Sequence, residues 1–284
     1  MISSVIRRYL RRLHEIRELD PTPGDLRGWN WDKPPIKPRA YLGLGVGEIA
    51  YASQCGYREL WLKRRRGVKP EVNEYMRRGY VIHEVFHRAA SDLRKVILTV
   101  SDDSRWAYTR MLCDRAQVRL RDLIRDLNSD KWAVNLYRKL LLIWLGESMA
   151  TEVLSGGEGL GWMPWLTEYR VDGSLLGLSK NLRVDAIGEV GLIAEIKYGK
   201  IMRWHKLALA GYALAIESHM EIPVDYGVLV HVNGVPENPL LSVQPIYISP
   251  DLRRGFLEAR DEAIDVLLSP VEPTPTQCVE DEVV

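Results

Sequence analysis

Cysteine is scarce in this chain: three among 284 residues, at Cys55, Cys113 and Cys278. They are far apart, odd in number and form no CxxC pair, so a disulfide framework is not expected. No apolar run approaches the roughly 20 residues that a membrane span needs. Met1 to Leu19 is too rich in arginine, and too poor in a continuous apolar stretch, to read as a secretory signal. A cytoplasmic protein with no membrane partner is the expectation. Internal repeats are lacking too. Hydrophobic residues at 46% and charged residues at 27% give the ordinary balance of a folded protein, which excludes wholesale disorder.

Net charge is nearly absent, at +1, but that balance hides an asymmetry. Residues 1–142 carry 29 Lys and Arg against 17 Asp and Glu, whereas residues 143–284 carry 10 against 21. A basic half suits a polyanion and an acidic half suits a metal. Arginines on solvated helix faces give the same pattern, so charge alone decides nothing.

The basic half reads as mainly helical. Residues 3–19 place Val5, Tyr9, Leu10, Leu13 and Ile16 on one stripe of an amphipathic helix. Pro21 to Pro38 holds five prolines with Trp29 and Trp31, an irregular segment expected to pack on the body. A short helix pair spans Gly47 to Leu62 and ends at Lys63-Arg64-Arg65-Arg66. Long helical stretches follow from Asn73 to about Leu98, from Arg105 to about Leu127 and from Lys131 to Leu145.

The acidic half changes character. Trp165–Val171, Leu182–Ile187 and Leu192–Tyr198 have β composition, Arg203–Ser218 is a helix, and Val224–Val232 is a further strand, with Val243–Ile248 as an edge. The helix before Val224 suits a crossover to a parallel neighbour. The expectation is an α/β fold: one domain over 1–268, helical to about 150 with an α/β core over about 160–250, and a loose tail over 269–284.

The hairpin over residues 182–198 carries the chemistry. With Glu189-Val190-Gly191 as its turn, Ile187 pairs with Ile193, Ala186 with Ala194 and Asp185 with Glu195. Arg183, Asp185, Ile187, Ile193, Glu195 and Lys197 then share one face. Val184, Ala186, Leu192, Ala194, Ile196 and Tyr198 form the other, apolar face. Facing carboxylates repel unless a cation lies between them, and a hard divalent ion binds such oxygens. An ammonium two residues on, at Lys197, can orient a water or stabilise charge on a phosphate oxygen. A solvent-facing hairpin with a Glu/Lys surface pair would show the same residues.

His83-Glu84-Val85-Phe86-His87 also fits HExxH, which sets two imidazoles on one helix face around zinc. That is the rival function, a zinc metalloprotease. The longer pattern fails, with Ala90 and Arg94 where glycine and a third histidine would stand, and leaves Glu147 or Glu152 as distant ligands.

Taken in order, the glycine-spaced histidine (Gly79 to His83), LRVDA around Asp185, AEIK over Glu195 to Lys197 and a helix with Tyr212 resemble the RecB-type branch of the PD-(D/E)XK nucleases. RGWNWDKPP, RGYVIHEVF, GLSKNLRVDA and HKLALAGYALAIES are similar to the archaeal Apern-subtype (type I-A) branch of the CRISPR-associated RecB-like exonucleases. The resemblance covers most of residues 25–235. It implies a restriction-endonuclease-like core, a mixed sheet flanked by helices. It implies a metal-dependent deoxyribonuclease, an exonuclease rather than an endonuclease, that processes DNA in spacer acquisition.

The resemblance further implies that His83, Asp185, Glu195 and the Ile196 carbonyl hold Mg2+ or Mn2+, with Lys197 positioning the water. Tyr212 matches the tyrosine of a Q-x-x-x-Y helix, but Ala208 stands where the glutamine belongs. Glu168 matches an acidic residue on the preceding strand. Many relatives hold a 4Fe-4S cluster on one N-terminal and three C-terminal cysteines. Cys55 and Cys278 fit two of those positions and the rest are missing, so a remnant rather than an intact cluster is expected. Implied partners are DNA, single-stranded above double-stranded, the CRISPR integrase proteins and further copies of the chain in a homo-oligomer. Arg64, Arg65, Arg66, Arg77 and Arg78 are the candidate DNA contacts, and Trp29, Trp31 and Trp61 candidate base stackers. A catalytically weak subunit that binds DNA or those partners is the alternative from a different class.

Overall fold

The computed structural model describes residues 2–69, 71–124, 130–154, 163–188 and 191–278. Its α/β body is built on a five-stranded mixed sheet, β1 (Leu166–Val171), β2 (Leu182–Ile187), β3 (Ile193–Tyr198), β4 (Tyr226–Val235) and β5 (Asn238–Tyr247), in that spatial order. Neighbours are antiparallel except β3 and β4, which run parallel, with Lys197 beside His231. The helix that joins them, Arg203–Met220, makes the crossover that the sequence implied.

Helices cover both faces of the sheet. In chain order they are α1 (Ile2–Leu19), α2 (Val46–Cys55), α3 (Arg58–Arg66), α4 (Glu74–Thr99), α5 (Asp102–Asp114), α6 (Ala116–Arg119), α7 (Lys131–Leu154), α8 (Arg203–Met220) and α9 (Pro250–Leu268). One apolar cluster joins α2, α8 and α9 to Val184, Ile193 and Leu229; the other joins α4 and α7 to Ala186, Ala194, Ile196 and Val228. Phe86 and Trp144 meet edge-to-face in the second, with ring centroids 6.0 Å apart. Asn73 caps α4 by accepting the Met76 amide at 2.8 Å, and Ser249 caps α9 the same way at 3.3 Å.

Several expectations need correction. The stretch from Arg105 breaks at Arg115 into α5 and α6, and residues 125–129, where it was expected to end, lie outside the described residues. Lys131 starts a helix that runs on to Leu154 rather than stopping at Leu145. On α1, Tyr9 and Ile16 are exposed while Ile6 is buried and Leu10 is partly so. Arg17 pairs with Asp225 at 2.7 Å and His14 meets the Tyr226 hydroxyl at 3.0 Å, contacts that turn a different face of the helix to β4 and β5.

Pro21 to Pro38 does pack on the body. Leu26 and Ile36 are buried, and a Cβ at Gly28 would run into the Leu214 carbonyl of α8. Arg27 from this segment enters a buried ionic cluster with Glu217 (2.8 Å), Asp225 (2.6 Å) and, through them, Arg253 of α9. The sequence gives no local sign of it, because its members come from four separated segments.

The cysteines overturn their own expectation, since Cys55 and Cys278 form a disulfide. The segment before Cys278 lies along α3: Trp61 donates to the Ser269 carbonyl at 3.3 Å and Arg58 pairs with Glu272 at 2.6 Å. Residues 279–284, the rest of the expected loose tail, lie outside the described residues.

Candidate active site

The β2–β3 register is the one the alternation required. Ile187 faces Ile193, Ala186 faces Ala194, and the Gly188 amide donates to the Leu192 carbonyl at 2.8 Å. Turn residues 189 and 190 lie outside the described residues. Past Ala186 the ladder gives way, because the Asp185 side chain accepts the Ile196 amide at 2.7 Å through Oδ2. On the other side Glu168 of β1 lies opposite Asp185 with φ 54, a conformation that interrupts the pleat. Val184 and Ala186 therefore pack into different clusters, not on the single apolar face expected of β2. Nor does the hairpin face solvent: Glu195 is 4% exposed.

Five elements meet here, with β1 supplying Glu168 and β2 supplying Asp185. α4 presents His83, whose Nδ1 lies 3.3 Å from Asp185 Oδ1 and 3.9 Å from Glu168 Oε1. β3 presents Glu195 and Lys197, paired at 2.6 Å. α8 adds Tyr212, with a half-buried ring. Burial and the charges of Glu195, Asp185 and Glu168 push the Tyr212 phenol well above its ordinary range, so it stays a neutral donor.

The charges sort into distinct states. Burial works to raise Asp185, but His83, Lys197 and the Ile196 amide hold it below the usual carboxylate value. Glu195 goes the other way: burial raises it more than Lys197 lowers it, and the Asp185 charge adds to the rise. Lys197 keeps its proton, since Glu195 and Asp185 outweigh the cost of burial. His83 is raised likewise by Asp185 against its burial.

Two histidines that sequence reasoning missed stand near this cluster. His205, at the start of α8, accepts the Met202 amide through Nδ1 at 3.0 Å. Burial and the Lys197 charge depress it to about 3, so it is neutral. His231 lies beside Lys197 across the parallel ladder, and its buried Nε2 has no hydrogen-bond partner. His205 opens the HKLALAGYALAIES segment, but nothing in that segment marks it as a site residue, and His231 lies in none of the motifs; only the fold brings them to the lysine.

The donor set fits a hard or borderline divalent cation. His83, Glu168 and Asp185 each offer an atom within 4.8 Å of the others. Glu195 is not in that group, because one oxygen is turned onto Lys197; its other oxygen, Oε2, is buried with no partner. An orphaned carboxylate oxygen next to three convergent ligands is what a site built for a cation presents. Glu168 thus takes a more central place than the sequence gave it, and the Ile196 amide, through Asp185, fixes the geometry. His87 belongs to no such group among the described residues. Its Nδ1 meets Thr167 Oγ1 at 2.9 Å, and Glu84 pairs with Arg88 at 3.4 Å, so the other two HExxH residues are engaged away from His83.

A model of the family described as CRISPR-associated exonuclease Csa1 matches residues 1–283. The chain belongs to that family. The "CRISPR-associated exonuclease Csa1" of Saccharolobus solfataricus is 34% identical over 263 residues, covering 88% of this chain and 86% of that one. The protein of the same name from Thermoproteus tenax is 32% identical over 280 residues, covering 96% and 94%. A solved chain described as "Crystal structure of SSO0001" aligns with 56% of this chain and 73% of its own at 19% identity, with a TM-score of 0.25, too low to support any argument about fold.

In this Csa1 family member the five candidate arginines fall into two groups. Arg77 pairs with Asp130 at 2.9 Å and Glu74 at 3.2 Å, and Arg78 donates to the Tyr198 hydroxyl at 3.0 Å, both on the helix of His83. Arg64, Arg65 and Arg66 stand on α3, which packs against α2 and α9; Arg64 is paired with Glu48 and Arg66 lies over the Trp61 ring at 5.6 Å. Trp61 is buried and Trp29 half-buried, leaving Trp31 the most open of the three proposed stackers. Cys113 stands on α5 as a free thiol apart from the Cys55–Cys278 pair.

Proposed function

We propose that this Csa1 chain is a metal-dependent deoxyribonuclease of the PD-(D/E)XK type, working as an exonuclease on DNA during CRISPR spacer acquisition beside the integrase proteins. The observation that carries this reading is the convergence of His83, Glu168 and Asp185 within 4.8 Å beside the Glu195–Lys197 pair. The family name supplies the reaction class and the CRISPR setting; the residues supply the chemistry.

His83, Asp185, Glu168 and the free oxygen of Glu195 would hold Mg2+ or Mn2+, which when bound supplies Lewis-acid stabilisation of charge growing on the phosphate. Lys197, protonated and fixed by Glu195, holds its ammonium where a water or a phosphate oxygen can accept its hydrogen bond. Asp185 stays ionised and rigid between His83 and the Ile196 amide. Tyr212 offers a neutral hydroxyl as donor. A four-thiolate 4Fe-4S cluster lies beyond the chain's own three cysteines, two of which are joined.

Incubating the full chain with end-labelled single- and double-stranded DNA and Mg2+ or Mn2+ tests the reading. Stepwise shortening that is lost in Asp185→Ala and in Lys197→Ala supports it. Ala208, where the motif has glutamine, favours a second reading as a catalytically weak binding subunit. An inert wild type that still binds DNA would establish that one instead.

A further inference from the structure

Beside the site stands an aromatic side chain that leaves about half of its surface exposed. Tyr75, on the first turn of α4, is 53% exposed. Its hydroxyl donates to the Tyr198 carbonyl at the end of β3, one residue from Lys197. Gly199, at φ 77, allows this approach, because a Cβ there would collide with the Tyr75 ring. Behind Tyr75 the rings continue inward. Its centroid is 5.3 Å from that of Tyr198, whose ring stacks at 15° on Trp132 with centroids 6.1 Å apart. Arg78 fixes the Tyr198 hydroxyl at 3.0 Å.

A tyrosine kept only to close α4 onto β3 would bury its ring and use its oxygen; this one uses the oxygen and leaves the ring open. Tyr75 also lies on the same helix as the site histidine. Gly79 lies one turn on and His83 two turns on along the same helix, and a Cβ at Gly79 would meet nothing within 4 Å.

We infer that Tyr75 is the stacking platform for the unpaired nucleobase next to the phosphate held at Lys197. This rests on the nuclease reading above and adds a base-contacting residue to it. A paired base hides its faces in the duplex, whereas a single strand offers a face to every exposed ring. Lys197 beneath and Arg78 alongside would meet the backbone while the base lies on the ring.

The test compares Tyr75→Phe, which keeps the ring and removes the hydroxyl, with Tyr75→Leu, which keeps apolar bulk and removes the π face. A single-stranded oligonucleotide carrying 2-aminopurine, walked one position at a time, is titrated against the full chain with divalent ions chelated so that the strand stays intact. Quenching at one position that survives Tyr75→Phe and disappears in Tyr75→Leu, with thermal midpoints unchanged, supports the inference. In the active chain, Tyr75→Leu should raise KM for single strands by about 10- to 100-fold with kcat within about twofold. Equal behaviour of the two variants, while wild type hydrolyses DNA, overturns this inference and leaves the nuclease reading standing. Tyr75-dependent quenching in a wild type that hydrolyses nothing sinks the nuclease reading and keeps the platform.

Discussion

Lys197 keeps its proton in a buried place because Glu195 lies 2.6 Å away and Asp185 adds a second negative charge. Such a group acts by its position and charge, so Lys197→Ala should lower hydrolysis at saturating DNA about 10²- to 10⁴-fold. His205 makes a different prediction. Folded, it resists protonation down to about pH 3; unfolded, it titrates near 6.5. The unfolded state therefore binds more protons between those values, and stability falls as pH drops through that window, by up to about 1.4 kcal/mol per pH unit. His205→Gln should flatten the fall in thermal midpoint between pH 6.5 and 3, and an unchanged slope would contradict the assignment. Asp185, Glu195 and Lys197 are legible in the sequence because strand alternation puts them side by side. Glu168 and His205 are less so, since each reaches the cluster from another element.

At the scale of elements, the crossover α8 does two jobs. One end brings His205 and Tyr212 to the carboxylates, and the other buries Glu217 among Arg27, Arg253 and Asp225. Burial tends to raise Asp225, but the hydrogen bond from Arg27 and the neighbouring arginines hold it below its usual value. Removing one member strands the others, so Arg253→Met should cost about 3–5 kcal/mol in denaturant unfolding. A loss below 1 kcal/mol would show the cluster to be balanced without it. The sheet and most helices could be read from periodicity and turn residues. The break at Arg115 and the face that α1 buries could not, because partners distant in sequence set both: Arg138 of α7 takes the Cys113 carbonyl at 2.9 Å, and Arg17 reaches Asp225.

Across the whole molecule, the chain is closed by contacts between its ends. The Cys55–Cys278 bond spans a sequence separation of 223 residues, and Arg58–Glu272 and Trp61–Ser269 line the same seam. Reduction, or Cys278→Ser, should lower stability by about 2–5 kcal/mol and open residues 269–278 to proteases. Equal digestion of oxidised and reduced protein would contradict this. Spacing alone gives no sign of a bond, although the family resemblance sets Cys55 and Cys278 at one place as a cluster remnant; the pairing depends on α9 returning the chain to α2. Among the described residues, no helix is long and apolar enough to cross a membrane.

The most direct test of the central claim is Mn2+ binding by calorimetry on the full chain, run beside DNA hydrolysis in the same buffer. One ion bound by wild type, lost together with hydrolysis in Asp185→Ala and weakened in Glu168→Ala and His83→Ala, is the predicted result. Hydrolysis that persists in Asp185→Ala, or that proceeds in wild type with every divalent ion chelated, would contradict it.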